Sequence, residues 1–438
     1  MISSSIFNDL VARIAEAGRS LALGTQATAG DPLALCERLL SGKGEATGLA
    51  IAQQVFDAYG GLDPESRQGF FRQVSERFGV DDGALEKAVE TWRQEGSTAA
   101  RALHFASEPR SQELIRRLNR APGGTKALVD MRADLIDAVA EDATLQQLDT
   151  DFQHLLASWF NRGFLELRRI DWSTPAAILE KIIAYEAVHE IAGWDDLRRR
   201  VAAPDRRLYG FFHPALSDDP LIFVEVALTA ALPDAIRPIL AEDREPLEPG
   251  KATTAVFYSI SNCQKGLRSI SFGNFLIKQV VEELRREFDG LTTFVTLSPV
   301  PGLRRWAERE AEDEEGLLGP EQRTRVALLN KDDPAVVDDE LLELAAVYLL
   351  QARGRRGGAL DPVARFHLGN GARLERINAA ADLSERGRAN AWGVMVNYLY
   401  DLKSIEKNHE AYANDGSIAA STAVQRLARS SKRSSVHV

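Results

Sequence analysis

Along the first third of the chain the hydrophobic positions recur at three- and four-residue spacing. PLALCERLLSG (32–42), ATGLAIAQQVFDAYGG (46–61), ESRQGFFRQVSERFG (65–79) and DGALEKAVETWRQE (82–95) each carry one to four helical turns. SQELIRRLNRA (111–121), TKALVDMRADLIDAVAED (125–142) and LQQLDTDFQHLLASWFNRG (145–163) continue the pattern. Gly, Pro or Asp breaks separate them, and Asp63 before Pro64 is a helix-start signal. No repeat of fixed length runs through these segments. They predict an all-helical bundle of short antiparallel helices over residues 1–164, with oligomerisation or scaffolding as its default role.

Near residue 165 the texture changes. WSTPAAILEKIIAYEAVHEI (172–191) predicts a helix with Pro175 near its start. RRLYGFFHP (206–214), PLIFVEVALTA (220–230), TAVFYSIS (254–261) and TTFVTLSPV (292–300) are rich in β-branched and aromatic residues and predict four strands. GLRSISFGNFLIKQVVEELRREF (266–288) predicts a polar loop and then a helix whose apolar face is Ile277, Val280, Val281, Leu284 and Phe288. GLRRWAEREAE (302–312) and DDELLELAAVYLLQAR (338–353) predict helices, NAWGVMVNYLYDL (390–402) a late strand, and SIAASTAVQRLARSS (417–431) a final helix. A helix is also expected after the turn Gly369-Asn370-Gly371. The whole is α+β, with a mixed central sheet and packed helices over residues 165–438.

Composition narrows the function. A chain of 438 residues with 45% hydrophobic content has room for two domains. A net charge of −11 argues against a general nucleic-acid or membrane-surface binder, since both need a basic face. Cys36 and Cys263 are too few and too far apart for a disulfide framework or a zinc site, which fits a reducing compartment. None of the seven histidines is spaced as a metal pair, so no metal is expected. No apolar run is long enough to span a bilayer, and no secretory leader is evident.

Three places carry candidate chemistry. The loop Arg268-Ser269-Ile270-Ser271-Phe272-Gly273-Asn274 stands between a strand and a helix. Free amides at a helix start attract phosphate, Asn274 is a good N-cap, and Arg268 and Lys278 supply charge. His367 precedes the Gly-Asn-Gly turn, where a histidine at a loop mouth suits a proton donor, although a buried His bonding a backbone carbonyl is the plainer alternative. Ser298 ends a strand before Pro299 and Pro301 and lacks the Gly-x-Ser-x-Gly elbow of hydrolases.

Taken together and in order, FYSISNCQKGLRSISFGNFLIKQVVEEL (257–284), TFVTLSPVPGL (293–303), PVARFHLGNGARLERINAAADLSERG (362–387) and GVMVNYLYDL (393–402) resemble malonyl-CoA decarboxylases. EAVHEIAGWDDLRRRV (186–201) and FVEVALT (223–229) match upstream. The resemblance implies a helical N-terminal oligomerisation domain and a C-terminal domain of the GNAT acetyltransferase fold. It implies conversion of malonyl-CoA to acetyl-CoA and CO2 with no cofactor. It places CoA contact at residues 268–274, with Ser271 where the GNAT phosphate pattern has glycine. It matches the family's two catalytic positions to Ser298, which orients the malonyl carboxylate and formally accepts a proton, and His367, which protonates C2. Tyr400 is a candidate to orient His367. The stretch between Ser298 and His367 is shorter than in animal forms and the peroxisomal tail is absent, which points to a bacterial, cytoplasmic version; the implied helical domain makes a homo-oligomer, dimer or tetramer, the expectation. The rival readings are a GNAT-type N-acyltransferase and a non-catalytic CoA-binding protein.

Overall fold

The computed structural model describes residues 31–42, 44–270, 276–329, 339–354 and 357–433. They fall into two compact units. The first comprises Met1–Glu166 with Phe212–Leu221 and Gln264–Phe272; the second is the remainder.

The first unit holds helices α1 (Pro32–Ser41), α2 (Glu45–Gly60), α3 (Pro64–Arg77), α4 (Asp82–Glu95), α5 (Ala100–Ala106), α6 (Arg110–Leu118), α7 (Gly124–Glu141) and α8 (Gln146–Trp159). Local chemistry starts several of them. Asp31, Asp63 and Asp81 are N-caps whose carboxylates accept backbone N–H bonds from Leu33, Ser66 and Ala84, and Pro32 and Pro64 occupy first helical positions. The apolar stripes meet in a core that includes Val55, Phe71, Leu128, Leu135, Leu156 and Phe160. A later segment joins this unit. The short 3-10 turn Lys265–Leu267 packs on α7 so closely that a Cβ on Gly266 would lie 1.8 Å from the Val129 carbonyl oxygen.

The second unit is built on an eight-stranded sheet. Its elements are β1 (Glu166–Ile170), α9 (Ala176–Tyr185), α10 (Trp194–Val201), β2 (Arg206–Phe212), β3 (Pro220–Thr229), α11 (Arg237–Leu240), β4 (Thr254–Asn262), α12 (Leu276–Glu287), β5 (Thr293–Thr296), β6 (Ser298–Pro299), α13 (Leu303–Ala311), α14 (Pro320–Leu329), α15 (Asp339–Gln351), α16 (Pro362–Gly369), β7 (Arg373–Asn378), α17 (Glu385–Ala391), β8 (Met395–Leu399), α18 (Ile405–Asp415) and α19 (Thr422–Arg433). The strand order is β1-β2-β3-β4-β5-β8-β6, with β7 also on β8. β4 and β5 run parallel, while β3/β4, β5/β8, β6/β8 and β7/β8 are antiparallel. This is a helical N-terminal region followed by a mixed sheet with packed helices.

Strand alternation sorts the two faces of the sheet. Val295 and Leu297 turn into an apolar cluster with Val256, Tyr258, Ala381 and Met395. Thr296 and Ser298, between and beyond them, face the other way. The α12 helix buries Ile277, Val280, Val281 and Leu284 as its periodicity predicts, while Phe288 lies just past its end and is half-buried.

Two expectations need correction. The segment after Gly369-Asn370-Gly371 is strand β7, not a helix, because it pairs along β8 from Arg373↔Leu399 to Asn378↔Met395. The strand foreseen at 390–402 is confined to Met395–Leu399 and is preceded by α17. Residues 166–170, to which no element was assigned, form the edge strand β1.

The packing at Gly266 sets a test. Adding one methyl there forces a backbone carbonyl aside, and overpacking of this kind costs about 1–3 kcal/mol or more. Gly266→Ala is expected to lower the urea midpoint by at least that equivalent. A midpoint equal to that of the parent would contradict the close approach.

Candidate active site

The loop proposed for CoA contact is described as far as Ile270; Ser271, Phe272, Gly273 and Asn274 lie outside the described residues. Arg268 and Ser269 are exposed and Ile270 is buried. Ser269 has a left-handed backbone, φ 68°, uncommon for a non-glycine residue. Beneath this loop sits Arg132 of α7, a residue that reads in sequence as a solvated helix charge. Its guanidinium is almost wholly buried and donates to the carbonyls of Gly266 at 2.6 Å and Arg268 at 3.0 Å. Its Nε bonds Asp149 Oδ1 at 2.8 Å, which balances the charge. Lys278, expected as a free positive charge, is instead ion-paired with Glu406 at 2.6 Å.

The structure brings Ser298, His367 and Tyr400 together in the second unit. Ser298 Oγ lies 3.1 Å from His367 Nε2, and His367 Nδ1 lies 2.8 Å from the Tyr400 hydroxyl. All three are buried, at 5%, 3% and 2% exposure, so little water competes for these bonds. His367 is not at a loop mouth. It occupies the last turn of α16, which Asp361 caps through bonds from the amides of Val363 and Ala364.

Proton accounting assigns the tautomer. Ser298 Oγ donates to Thr296 Oγ1 at 2.8 Å, and Thr296 Oγ1 also accepts the Tyr398 amide at 3.2 Å. The serine's one proton is therefore committed, and His367 Nε2–H donates to Ser298 Oγ. Nδ1 is then bare and accepts from Tyr400 O–H. Burial keeps that phenol protonated by raising its pKa well above the ordinary tyrosine range. Thr296 and Tyr398 carry no motif, but Thr296 ends β5 two residues before Ser298 opens β6, and period-two alternation through TTFVTLSPV would have found it.

The imidazole is also fixed in orientation. Tyr398 stacks on it with ring centroids 4.6 Å apart and planes 24° apart, and Tyr400 meets it edge-on at 6.1 Å. With no carboxylate to compensate, burial pushes the His367 pKa down to about 3. The resting side chain is a neutral imidazole presenting Nε2–H toward Ser298. Phe257 of β4 packs edge-on against Tyr400 at 6.2 Å and shields it.

Residues 163–438 match the profile of the malonyl-CoA decarboxylase C-terminal domain, and residues 78–160 match that of the N-terminal domain of the same family. The chain belongs to the malonyl-CoA decarboxylase family. Its structure superposes on a malonyl-CoA decarboxylase from Rhodopseudomonas palustris with a TM-score of 0.88 and 53% identity, covering 92% of this chain and 100% of that one. The corresponding enzyme from Agrobacterium vitis gives 0.84 and 54%, covering 91% and 99%. The mitochondrial malonyl-CoA decarboxylase of Anser anser anser is 35% identical over 408 residues, 84% of this chain and 81% of that protein. The family is one of carboxy-lyases, so this decarboxylase is an enzyme rather than a binding or scaffolding protein. Among the described residues no cluster of three or more His, Cys, Asp or Glu side chains is arranged to hold a metal ion, and no helix is long and apolar enough to cross a membrane. Cys36 and Cys263 are both buried and neither is in a disulfide among the described residues, and burial pushes the Cys36 thiol up to about 12.

Neutral burial of His367 has a consequence for stability. Its pKa is lower folded than unfolded, so between about pH 6.5 and 3 the unfolded chain binds the extra proton. Stability therefore falls as pH drops through that window, by up to about 1.4 kcal/mol per pH unit for one proton. In urea titrations across the window, His367→Gln is expected to show a shallower acid slope than the parent. Equal slopes would mean that His367 takes up its proton in the folded state.

Proposed function

We propose that this decarboxylase acts on malonyl-CoA through Ser298, His367 and Tyr400, releasing CO2 and acetyl-CoA without a cofactor. The observation that carries the reading is the buried chain of hydrogen bonds from Tyr400 through His367 to Ser298. Cleavage of the C–C bond leaves its electron pair at C2, delocalised into the thioester as an enolate, so the substrate is its own electron sink. C2 then needs one proton.

A donor whose resting form is neutral fits this demand. The malonyl carboxylate brings one negative charge into a water-poor site, and a proton taken up with it makes His367 an imidazolium beside its counter-ion. Loss of CO2 moves the negative charge to C2. Nε2–H then passes its proton to C2 and leaves a neutral imidazole with its proton on Nδ1; return of that proton to solvent and uptake of one at Nε2 restores the resting tautomer. The site is neutral overall before and after, with one solvent proton consumed per turnover. Because burial depresses the imidazole pKa, the imidazolium is a stronger acid here than in water. Tyr400 holds Nδ1 and so aims Nε2. Ser298 exchanges its bond to Thr296 for one to the malonyl carboxylate, orients it out of the thioester plane, and takes part in the proton relay as acceptor.

Residues 268–274 are the proposed CoA contact. The Arg268 carbonyl is drawn toward Arg132, and in a trans peptide the following amide, Ser269 N–H, points the opposite way, free to meet a phosphate oxygen. Residues 1–164 are proposed as the oligomerisation domain and 165–438 as the catalytic domain. In support, α4 buries only Ala88, and Trp92 and Phe105 of α4 and α5 are exposed, as surfaces for a second copy in a dimer or tetramer. Two buried thiols, neither in a disulfide among the described residues, agree with a cytoplasmic location.

Metal-stripped protein incubated with malonyl-CoA is expected to yield CO2 and acetyl-CoA in equal amounts. His367→Ala should lower kcat by on the order of 10²–10⁴, the contribution of a positioned acid, and Ser298→Ala by at least about a hundredfold. Tyr400→Phe leaves Nδ1 buried without a donor and should lower kcat by about tenfold or more with little change in KM. Full activity of His367→Ala would defeat the assignment of the proton donor, and acetyl transfer to an amine with no CO2 released would favour an acyltransferase.

A further inference from the structure

We infer that Asp361 is a positioning residue that ties the helix bearing His367 to the exit of the strand bearing Ser298. Ser298 and His367 are 69 positions apart and sit on different elements, so something must hold their separation to a few tenths of an ångström. Asp361 stands where three of these elements converge. Its Oδ1 accepts the amides of Val363 and Ala364 at 2.9 Å each, fixing the first turn of α16. Its Oδ2 accepts the hydroxyl of Tyr348, on α15, at 3.3 Å. Burial raises the Asp361 pKa, and the Gly302 amide, four residues beyond Ser298 and just before α13, is among the donors that oppose that rise. The carboxylate is 1% exposed, so these contacts are not diluted by water.

Gly302 shows how tightly the three elements are joined. A Cβ there would lie 2.3 Å from the Tyr348 hydroxyl oxygen and 3.7 Å from Asp361 Oδ2. Tyr348 has little freedom to yield, because its ring packs against Trp306 of α13 at 4.9 Å and its side chain is fully buried. A shift of the Asp361 node therefore moves α16, and His367 six residues along it, relative to Ser298. The pKa of Tyr398, stacked under His367, is raised by burial and next by the Asp361 charge, and its buried hydroxyl has no hydrogen-bond partner among the described residues. The node thus continues under the imidazole itself.

This inference rests on Ser298 and His367 carrying the reaction, so both alanine variants are run beside the new ones. Asp361→Ala loses the cap and is expected to lower kcat by about ten- to a hundredfold, with KM for malonyl-CoA within about threefold of the parent. Asp361→Asn keeps the capping acceptor, since Asn serves as N-cap as well as Asp, and should restore kcat to within about threefold. Gly302→Ala should lower kcat like Asp361→Ala, and adding Tyr348→Phe, which removes the obstructing oxygen, should recover part of the loss. All variants are compared at a temperature where circular dichroism shows them folded. Parental kcat in folded Asp361→Ala, or a loss expressed in KM alone, would overturn the inference while leaving the Ser298 and His367 assignment standing. Parental activity in His367→Ala would overturn the assignment itself.

Discussion

A buried imidazole held neutral is the constraint on which the rest of this site depends. The interior charges a high cost for an unpaired cation, and among the groups packed on His367 there is no carboxylate to offset it. Every direction around the ring is spoken for. A phenol donates to one nitrogen, a serine oxygen accepts from the other, and a second tyrosine covers a face. In the proposed mechanism this stored base becomes a strong acid once the malonyl carboxylate arrives with a proton, and the substrate's own charge does what a metal or a fixed carboxylate does elsewhere.

The fold supplies this arrangement by topology. β5 and β6 bring Thr296 and Ser298 to one face, and β8 lies beside them and carries Tyr398 and leads to Tyr400. The opposite face is filled with Val295, Leu297 and Met395, which fixes the register, because a slip of one residue would exchange the polar and apolar sets. α16 lays His367 across the polar face, and the Asp361 cap sets where that helix begins. The loop ahead of α12 is anchored differently, through a guanidinium buried in the helical unit. Removing Arg132 would strand Asp149 in the interior, the kind of loss that costs several kcal/mol in other proteins.

Much of this was legible in the residues. The helices of the first unit other than α5, and α12, declare themselves by period. β2 to β5 declare themselves by β-branched and aromatic content. β1 and β7 do not, since ELRRI and RLERIN have the charge pattern of exposed helix, and pairing along neighbouring strands overrides that preference. The missed α16 is instructive. Asp361-Pro362 repeats the start signal read at Asp63-Pro64, but the helix has only eight residues, and the Gly-Asn-Gly turn drew attention away from it. Of the site, Ser298 and His367 come from the family resemblance and Tyr400 is a candidate to orient His367, and hydrogen bonds join the three. Arg132 and Asp361 were invisible, because a buried charge announces itself only through partners far away in sequence.

The central claim is a charge state, and it is measured most directly by 15N NMR of the enzyme labelled at histidine, with His367→Gln used to assign the signal. The account predicts a neutral imidazole at pH 7, protonated at Nε2 and bare at Nδ1, that stays neutral down to at least about pH 5 in the absence of substrate. An imidazolium at pH 7, or a proton on Nδ1 with Nε2 bare, would contradict it.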